Sequence, residues 1–367
     1  MKLEYKNKVP KKQILEGDKA KFSEKITGKS SALIYGNNLS ALRTLIDSKV
    51  RFDLCYIDPP FATGNIFTTS KNRVATISKS TDDELAYKDE LKGAEFIEFI
   101  RQRAILIREL LTDNGSFYLH IDYKIGHYVK AILDEVFGID NFRNDITRIK
   151  CNPKNFSRKA YGNVKDLILF YTKTKDSIWN EPSSTLTEED IKTLFKKKTK
   201  EGRYYTTVPI HAPGETKNGA TSQKWKGMFP PKGRHWRSSP AELDKLDEAG
   251  LIEWSKNNNP RRIIFADEHK GKKSQDIWEF KDPTYPTYPT EKNLDLLKFI
   301  INASSNKNSY VLDCFSGSGT TLLASELLGR KWVGIDESKE AIKATEERLN
   351  SLGVMTEKLE FQRIIAS

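Results

Sequence analysis

The chain has 367 residues, roughly two to three domain equivalents at ~150 residues each, with three scattered cysteines (Cys55, Cys151, Cys314) and a net charge of +11. These numbers exclude a disulfide scaffold and a Cys/His zinc centre; no stretch reaches the ~18 apolar residues of a membrane span, and the start lacks a signal-peptide core, so a cytoplasmic protein with no metal is expected. The excess of lysine and arginine favours a polyanionic partner.

A polar extension, 1–30, precedes the first regular pattern. Residues 31–58 read as strand, helix, strand: an apolar run ending at Gly36, a helical stretch carrying Leu39, Leu42, Leu45 and Ile46, and a second run ending at Asp58. That is a parallel βαβ unit. The segment after Asp58 is polar and irregular to about residue 88, a length that suits a mobile functional loop. An amphipathic helix follows (Phe96, Ile97, Ile100, Ala104, Ile107, Leu110, Leu111), with Asn114-Gly115 as its expected C-cap. A strand at 116–121, a helix at 124–137 and a strand at 167–171 complete a first half, 31–175.

Residues 176–282 lose this rhythm, with one clear helix at 241–249 and a short strand after it. Between Cys151 and Phe280 there are 25 Lys/Arg against 17 Asp/Glu, and five of the six tryptophans lie there, too many aromatics for a disordered linker. Basic residues interleaved with aromatics suit a surface that neutralises phosphates and packs on bases, although tryptophans are more often core. The α/β pattern returns in 283–367, with a helix at 294–303, a strand at 310–313, the turn Cys314-Phe315-Ser316-Gly317-Ser318-Gly319, a helix at 320–328, a strand at 332–336 and a final helix from about 339. The expected fold is therefore α/β: one Rossmann-like, doubly wound sheet written in two pieces around an inserted module.

Two strand ends carry the chemistry. Gly317-Ser318-Gly319 opens a helix after a strand, and Asp336 ends the next strand, the arrangement in which a backbone approaches a nucleoside and a carboxylate holds its ribose. No lysine follows the glycines, which argues against a phosphate-cradling loop. Asp58-Pro59-Pro60-Phe61 also follows a strand, at the edge where open α/β sheets bind ligands; its prolines stiffen the chain and leave carbonyls free.

Together, Asp58-Pro59-Pro60-Phe61 and Asp313-Cys314-Phe315-Ser316-Gly317-Ser318-Gly319-Thr320 resemble the catalytic and cofactor motifs of the S-adenosylmethionine-dependent DNA amino-methyltransferases. Their order, catalytic motif first, resembles the circularly permuted β group, whose target-recognition region lies between the two. Tyr288-Pro289-Thr290-Glu291-Lys292-Asn293 is similar to that group's His-Pro-Thr-Gln-Lys-Pro element, with the usual His and Pro replaced. The resemblance implies S-adenosylmethionine as cofactor, contacted by Asp313, Phe315, Ser316, Gly317, Gly319, Thr320, Asp336, Thr290, Lys292 and Asn37. It implies that Asp58 and the Pro59 carbonyl accept the two N–H groups of an exocyclic amine, with Pro60 stiffening the turn and Phe61 stacking on a flipped base.

Duplex DNA is the implied substrate and adenine N6 the expected target, because relatives acting on cytosine N4 more often carry Ser in place of Asp58. Alternatives are cytosine-N4 methylation, a catalytically silent DNA-binding subunit on the same scaffold, and an RNA or protein amino-methyltransferase. Within 176–282, the expected target-recognition insert, Lys224, Lys226, Arg234, Trp236 and Arg237 are the candidate DNA contacts. A cognate restriction endonuclease and homodimerisation are left open.

Overall fold

A computed structural model describes residues 2–60, 66–70, 73–75, 84–88, 93–153, 159–283, 291–353 and 361–367, with backbone alone at 66–70, 73–75, 84–88 and 352–353. The chain divides into two compact units, Met1–Pro182 with Gln275–Ser367, and Ser183–Ser274.

The larger unit is built on a nine-stranded sheet. In chain order its strands are β1 (Ser31–Tyr35), β2 (Phe52–Ile57), β3 (Leu111–Ile121), β4 (Phe142–Ile149), β5 (Lys165–Thr172), β6 (Ile277–Glu279), β7 (Tyr310–Asp313), β8 (Lys331–Asp336) and β9 (Phe361–Ile365). Across the sheet they run β6-β4-β5-β3-β2-β7-β8-β1-β9, and every pairing is parallel except the two made by β5.

Alternation along the strands feeds two apolar layers. Ala32, Ile34, Cys55, Ile57 and Leu312 pack toward helices Asn38–Asp47, Ala94–Leu110 and Tyr123–Phe137, whereas Leu33, Leu54, Tyr56 and Val311 pack toward helices Leu294–Ser304 and Thr320–Leu327. Helices on both faces make the sheet doubly wound. No helix among the described residues is long and apolar enough to cross a membrane.

Two departures from the sequence pattern have local causes. The Ala94–Leu110 helix stops before Asn114-Gly115, because Leu111 already has extended φ/ψ and pairs with Phe52. Ser116 pairs with Leu54, so the residues between form an irregularity inside β3 rather than a helix cap. Strand β4 is unreadable as a strand because a charged residue, Arg148, is fully buried in it; it is held by the Phe280 carbonyl at 2.8 Å and Asp282 at 2.5 Å. The polar segment after Asp58 contains a three-stranded antiparallel sheet, Arg73–Ala75, Ile66–Ser70 and Glu84–Lys88.

The smaller unit begins at Ser183 and ends at Ser274, inside the 176–282 expected for the insert. Residues Ile277–Glu279 instead join β4 in the large sheet, where Trp278 packs edge-on against Phe299 at 5.0 Å. The unit has a four-stranded antiparallel sheet and its own core of Ile210, Trp225, Trp236, Leu243 and Ile252. Its helix Pro240–Glu248 starts as the sequence dictates, with proline in the first turn and a Ser239/Glu242 capping box.

Candidate active site

Strands β2 and β7 lie side by side and parallel, with Leu54 opposite Val311 and Cys55 opposite Leu312. Their C-terminal ends therefore bring Asp58 and Asp313 to one sheet edge, and β8, the next strand, adds Asp336. A cavity of about 590 Å³ opens there, lined among others by Tyr35, Tyr56, Asp58, Pro60, Lys292, Asp313, Phe315, Ser316, Gly317, Thr320 and Asp336. Its size falls within the ~300–1,000 Å³ typical of small-molecule sites.

The 314–319 turn is held from several sides. Asp336 accepts the Gly317 N–H at 2.8 Å and the Ser338 N–H at 2.9 Å, tying the β7 turn to the β8 turn. Thr345 donates to the Gly317 carbonyl at 2.9 Å, while Arg348 bonds the Ser318 carbonyl at 3.1 Å and ion-pairs with Glu291 at 2.9 Å. Gly317 has φ +48°, and a Cβ there would meet no atom within 4 Å, so the bare backbone faces open space. Gly319 is a glycine for a different reason: φ is +74°, and a Cβ would fall 2.6 Å from the Thr345 methyl. Arg103, stacked 3.5 Å over Phe99, bonds Asn38 at 2.8 Å, and Asn38 donates to the Cys314 carbonyl at 2.8 Å.

On the β2 side, Lys292 Nζ meets Asp58 Oδ2 at 2.5 Å. The other oxygen, Asp58 Oδ1, is buried and has no hydrogen-bond partner among the described residues, as is also true of Ser316 Oγ. One carboxylate oxygen is thus fixed by a cation while the other is left as an acceptor.

A family model described as DNA methylase matches residues 52–347, which include both strand-end motifs and most of the chain. The chain belongs to the N6/N4 DNA methylase family. A type II methyltransferase of Enterobacter cloacae, M.EcaI, is 43% identical over 326 residues, covering 87% of this chain and 69% of that protein. The Mod subunit of the type III restriction-modification enzyme StyLTI of Salmonella typhimurium is 29% identical; the match covers 78% of this methylase but about half, 48%, of that subunit. Among solved structures, the M1.HpyAVI–SAM complex is 18% identical with a TM-score of 0.46, covering 86% of this chain and 99% of that one.

The methylase's cofactor is S-adenosylmethionine, and the residues present fit it. A sulfonium cation suits a cavity lined by Asp58, Asp313 and Asp336, the open backbone at Gly317 admits a close ligand, and the Ser316 hydroxyl and Asp58 Oδ1 have bonding capacity to offer. Of the residues expected to contact it, Asp313, Phe315, Ser316, Gly317, Thr320, Asp336 and Lys292 line the cavity, whereas Gly319 and Asn37 are not among its lining residues. The Asn37 side chain accepts the Leu39 and Ser40 N–H groups as a helix N-cap, and the neighbouring Asn38 lines the cavity. Phe61 and Thr290 lie outside the described residues. Sequence reading missed Tyr35, Tyr56, Arg103 and Glu337, whose only signal was position: each lies at a strand end or on a helix facing that edge.

Trp236 is corrected as a DNA contact. It is 2% exposed, its indole N–H bonds the Gln223 carbonyl at 2.9 Å, and it meets Trp225 edge-on in the smaller unit's core. Lys226 is paired with Asp247, while Lys224, Arg234 and Arg237 are exposed.

Two measurements probe the acid cluster. Replacing Asp336 with Ala is expected to weaken S-adenosylmethionine binding by about 1.5–3 kcal/mol, the range for a charge-assisted hydrogen bond, with the fold retained. Unchanged affinity by calorimetry would remove Asp336 from the cofactor site. Burial, reinforced by Asp58 and Asp336 and opposed by bonds from Thr321 and the Phe315 N–H, pushes the Asp313 carboxyl up to about 7. The unfolded carboxyl titrates near ~4, so the folded form keeps a proton that the unfolded chain gives up. The resulting stability is complete below pH ~4 and is lost as pH rises to ~7. Asp313→Asn cannot ionise, so its stability relative to the ligand-free wild type should rise across that interval. Urea melts at stepped pH read the difference, and a gap that stays constant would contradict the raised carboxyl.

Proposed function

We propose that this methylase transfers a methyl group from S-adenosylmethionine to N6 of adenine in duplex DNA, acting on a base flipped out of the helix. The observation that carries the reading is the state of Asp58: Oδ2 is clamped by Lys292, and Oδ1 has no hydrogen-bond partner among the described residues, at the edge of a cavity that Asp313 and Asp336 also line.

An exocyclic amine is a poor nucleophile because its lone pair is delocalised into the ring. Asp58 Oδ1 accepts one N–H and the Pro59 carbonyl the other, which turns the nitrogen toward tetrahedral geometry with its lone pair aimed across the cavity. The bound cofactor supplies an electrophilic methyl on a sulfonium centre. Asp58 neutralises the positive charge that develops on nitrogen, and the carboxylate or solvent takes the released proton. Catalysis is positioning plus electrostatics. A base stacked in a duplex cannot enter such a cavity, so flipping precedes transfer.

An Asp at the head of the Pro-Pro tetrad supports adenine over cytosine. The unit Ser183–Ser274 is the proposed target-recognition module, with Lys224, Arg234 and Arg237 as candidate phosphate or base contacts. Residues 31–175 supply the proposed catalytic half and 283–367 the cofactor half. The Salmonella relative is part of a restriction-modification enzyme, which supports a restriction endonuclease of the same specificity as a partner and a place in the cytoplasm with the DNA it protects. Long-read sequencing of DNA from a methylation-free bacterial host expressing this chain tests the proposal. N6-methyladenine in one sequence context is the expected result, and N4-methylcytosine or unmodified DNA would overturn it.

A further inference from the structure

Behind Asp58 lies a buried hydrogen-bond chain that the mechanism above does not use. Strand β3 pairs with β2 in a register that sets Tyr118 opposite Tyr56 and Leu119 opposite Ile57, so His120 comes one step further along, beside the position of Asp58. Tyr56 lines the cavity. Its hydroxyl lies 2.8 Å from His120 Nδ1, and His120 Nε2 lies 3.3 Å from Asp166 Oδ2 on β5. Lys150 bonds the other Asp166 oxygen at 2.6 Å, and Arg148 stands 3.8 Å away. Tyr56, His120 and Asp166 are each at most 2% exposed.

The protonation of this chain follows from its surroundings. Burial alone would raise the Asp166 carboxyl, but hydrogen bonds from His120 and Lys150 outweigh it and hold the group well below the usual carboxylate range. Burial pushes the His120 imidazole down, toward the neutral ring, and pushes the Tyr56 hydroxyl up, so that it keeps its proton. An ionised carboxylate can only accept, so Nε2 carries the ring proton; the neutral ring then has a bare Nδ1, which takes the hydroxyl proton of Tyr56.

We infer that His120 and Asp166 are positioning residues that turn the Tyr56 O–H inward, so that Tyr56 presents oxygen lone pairs alone toward the site of methyl transfer. A nitrogen that becomes cationic as it attacks is stabilised by an oriented oxygen lone pair and opposed by an outward O–H dipole. Because all three side chains are buried, the orientation is set before substrate arrives.

The inference rests on Asp58 as the catalytic carboxylate, yet the two fail separately. The ring tautomer is read by ¹⁵N NMR of the histidine-labelled protein, with the resonance of His120 identified by its loss in His120→Gln. A neutral Nε2–H ring is expected; an Nδ1–H ring or an imidazolium near neutral pH overturns the inference, whether or not the protein is active. Asp166→Asn can donate to Nε2, which moves the ring proton to Nδ1 and turns the Tyr56 proton outward. Single-turnover transfer at saturating cofactor and DNA is expected to fall about 10- to 100-fold, the loss seen when hydrogen-bond partners that orient metal-ligating side chains are removed, with cofactor affinity unchanged. Tyr56→Phe should lose a similar factor, and adding Asp166→Asn to it should cost nothing further, since no hydroxyl remains to be turned. Fully additive losses in the double variant would show that Asp166 acts by another route and overturn the inference.

Discussion

Asp58→Ala is expected to abolish methyl transfer, a loss on the order of 10³-fold in single-turnover rate, while S-adenosylmethionine still binds with near wild-type affinity. The carboxylate is assigned to the target amine, so removing it deletes both an acceptor for an amine N–H and the anion that meets the developing charge. Cofactor affinity survives for a specific reason. The charge of Asp58 helps to hold the Asp313 carboxyl up, so removing it lets Asp313 ionise more readily and returns negative charge to the cavity. The ion pair from Lys292 goes with the carboxylate, and Asp58→Asn, which keeps the volume, is the control for local collapse. Retained turnover in either variant would remove Asp58 from the mechanism, and loss of calorimetric cofactor binding would move it to the donor side.

Trp236→Ala is expected to destabilise the smaller unit by about 3–5 kcal/mol, the cost of emptying a large aromatic site in a packed core. That is a large fraction of the ~5–15 kcal/mol that holds a domain of ordinary size together. The indole belongs to a small buried cluster with Ile210, Trp225, Leu243 and Ile252, and its N–H satisfies the Gln223 carbonyl. DNA binding should disappear with the fold of Ser183–Ser274. Replacing exposed Arg234 and Arg237 with Ala should leave the unit folded, weaken DNA binding and lower the salt-dependence slope by about 0.9 for each phosphate no longer neutralised. Urea unfolding followed by tryptophan fluorescence separates the two cases. A Trp236→Ala protein that unfolds like wild type yet binds DNA weakly would place the indole at the DNA after all.

Much of the candidate site could be read from short segments because its geometry is local. A strand, a glycine turn with positive φ, a helix N-terminus and an acid at the end of the next strand are set by a few consecutive residues, and each was found where the pattern placed it. The Asp-Pro-Pro tetrad is equally local, and helix Pro240–Glu248 announced itself through its capping residues.

What the sequence determined by itself, then, was the pair of strand-end motifs, the α/β alternation that makes a doubly wound sheet, and the family to which these belong. Tertiary structure decided how distant segments meet. The parallel pairing of β2 with β7 sets Asp58 beside Asp313, and the segment before helix Leu294–Ser304 sets Lys292 on the Asp58 carboxylate. Strand pairing across β2, β3 and β5 assembles Tyr56, His120 and Asp166, three residues with no common pattern along the chain. The same physics moved Trp236 from surface to core: composition counts aromatics and charges, but burial depends on which neighbours close over a side chain, and those neighbours come from Ile210 and Ile252 as much as from the adjacent sequence. Periodicity records which way a residue faces, and only long-range packing determines what it faces.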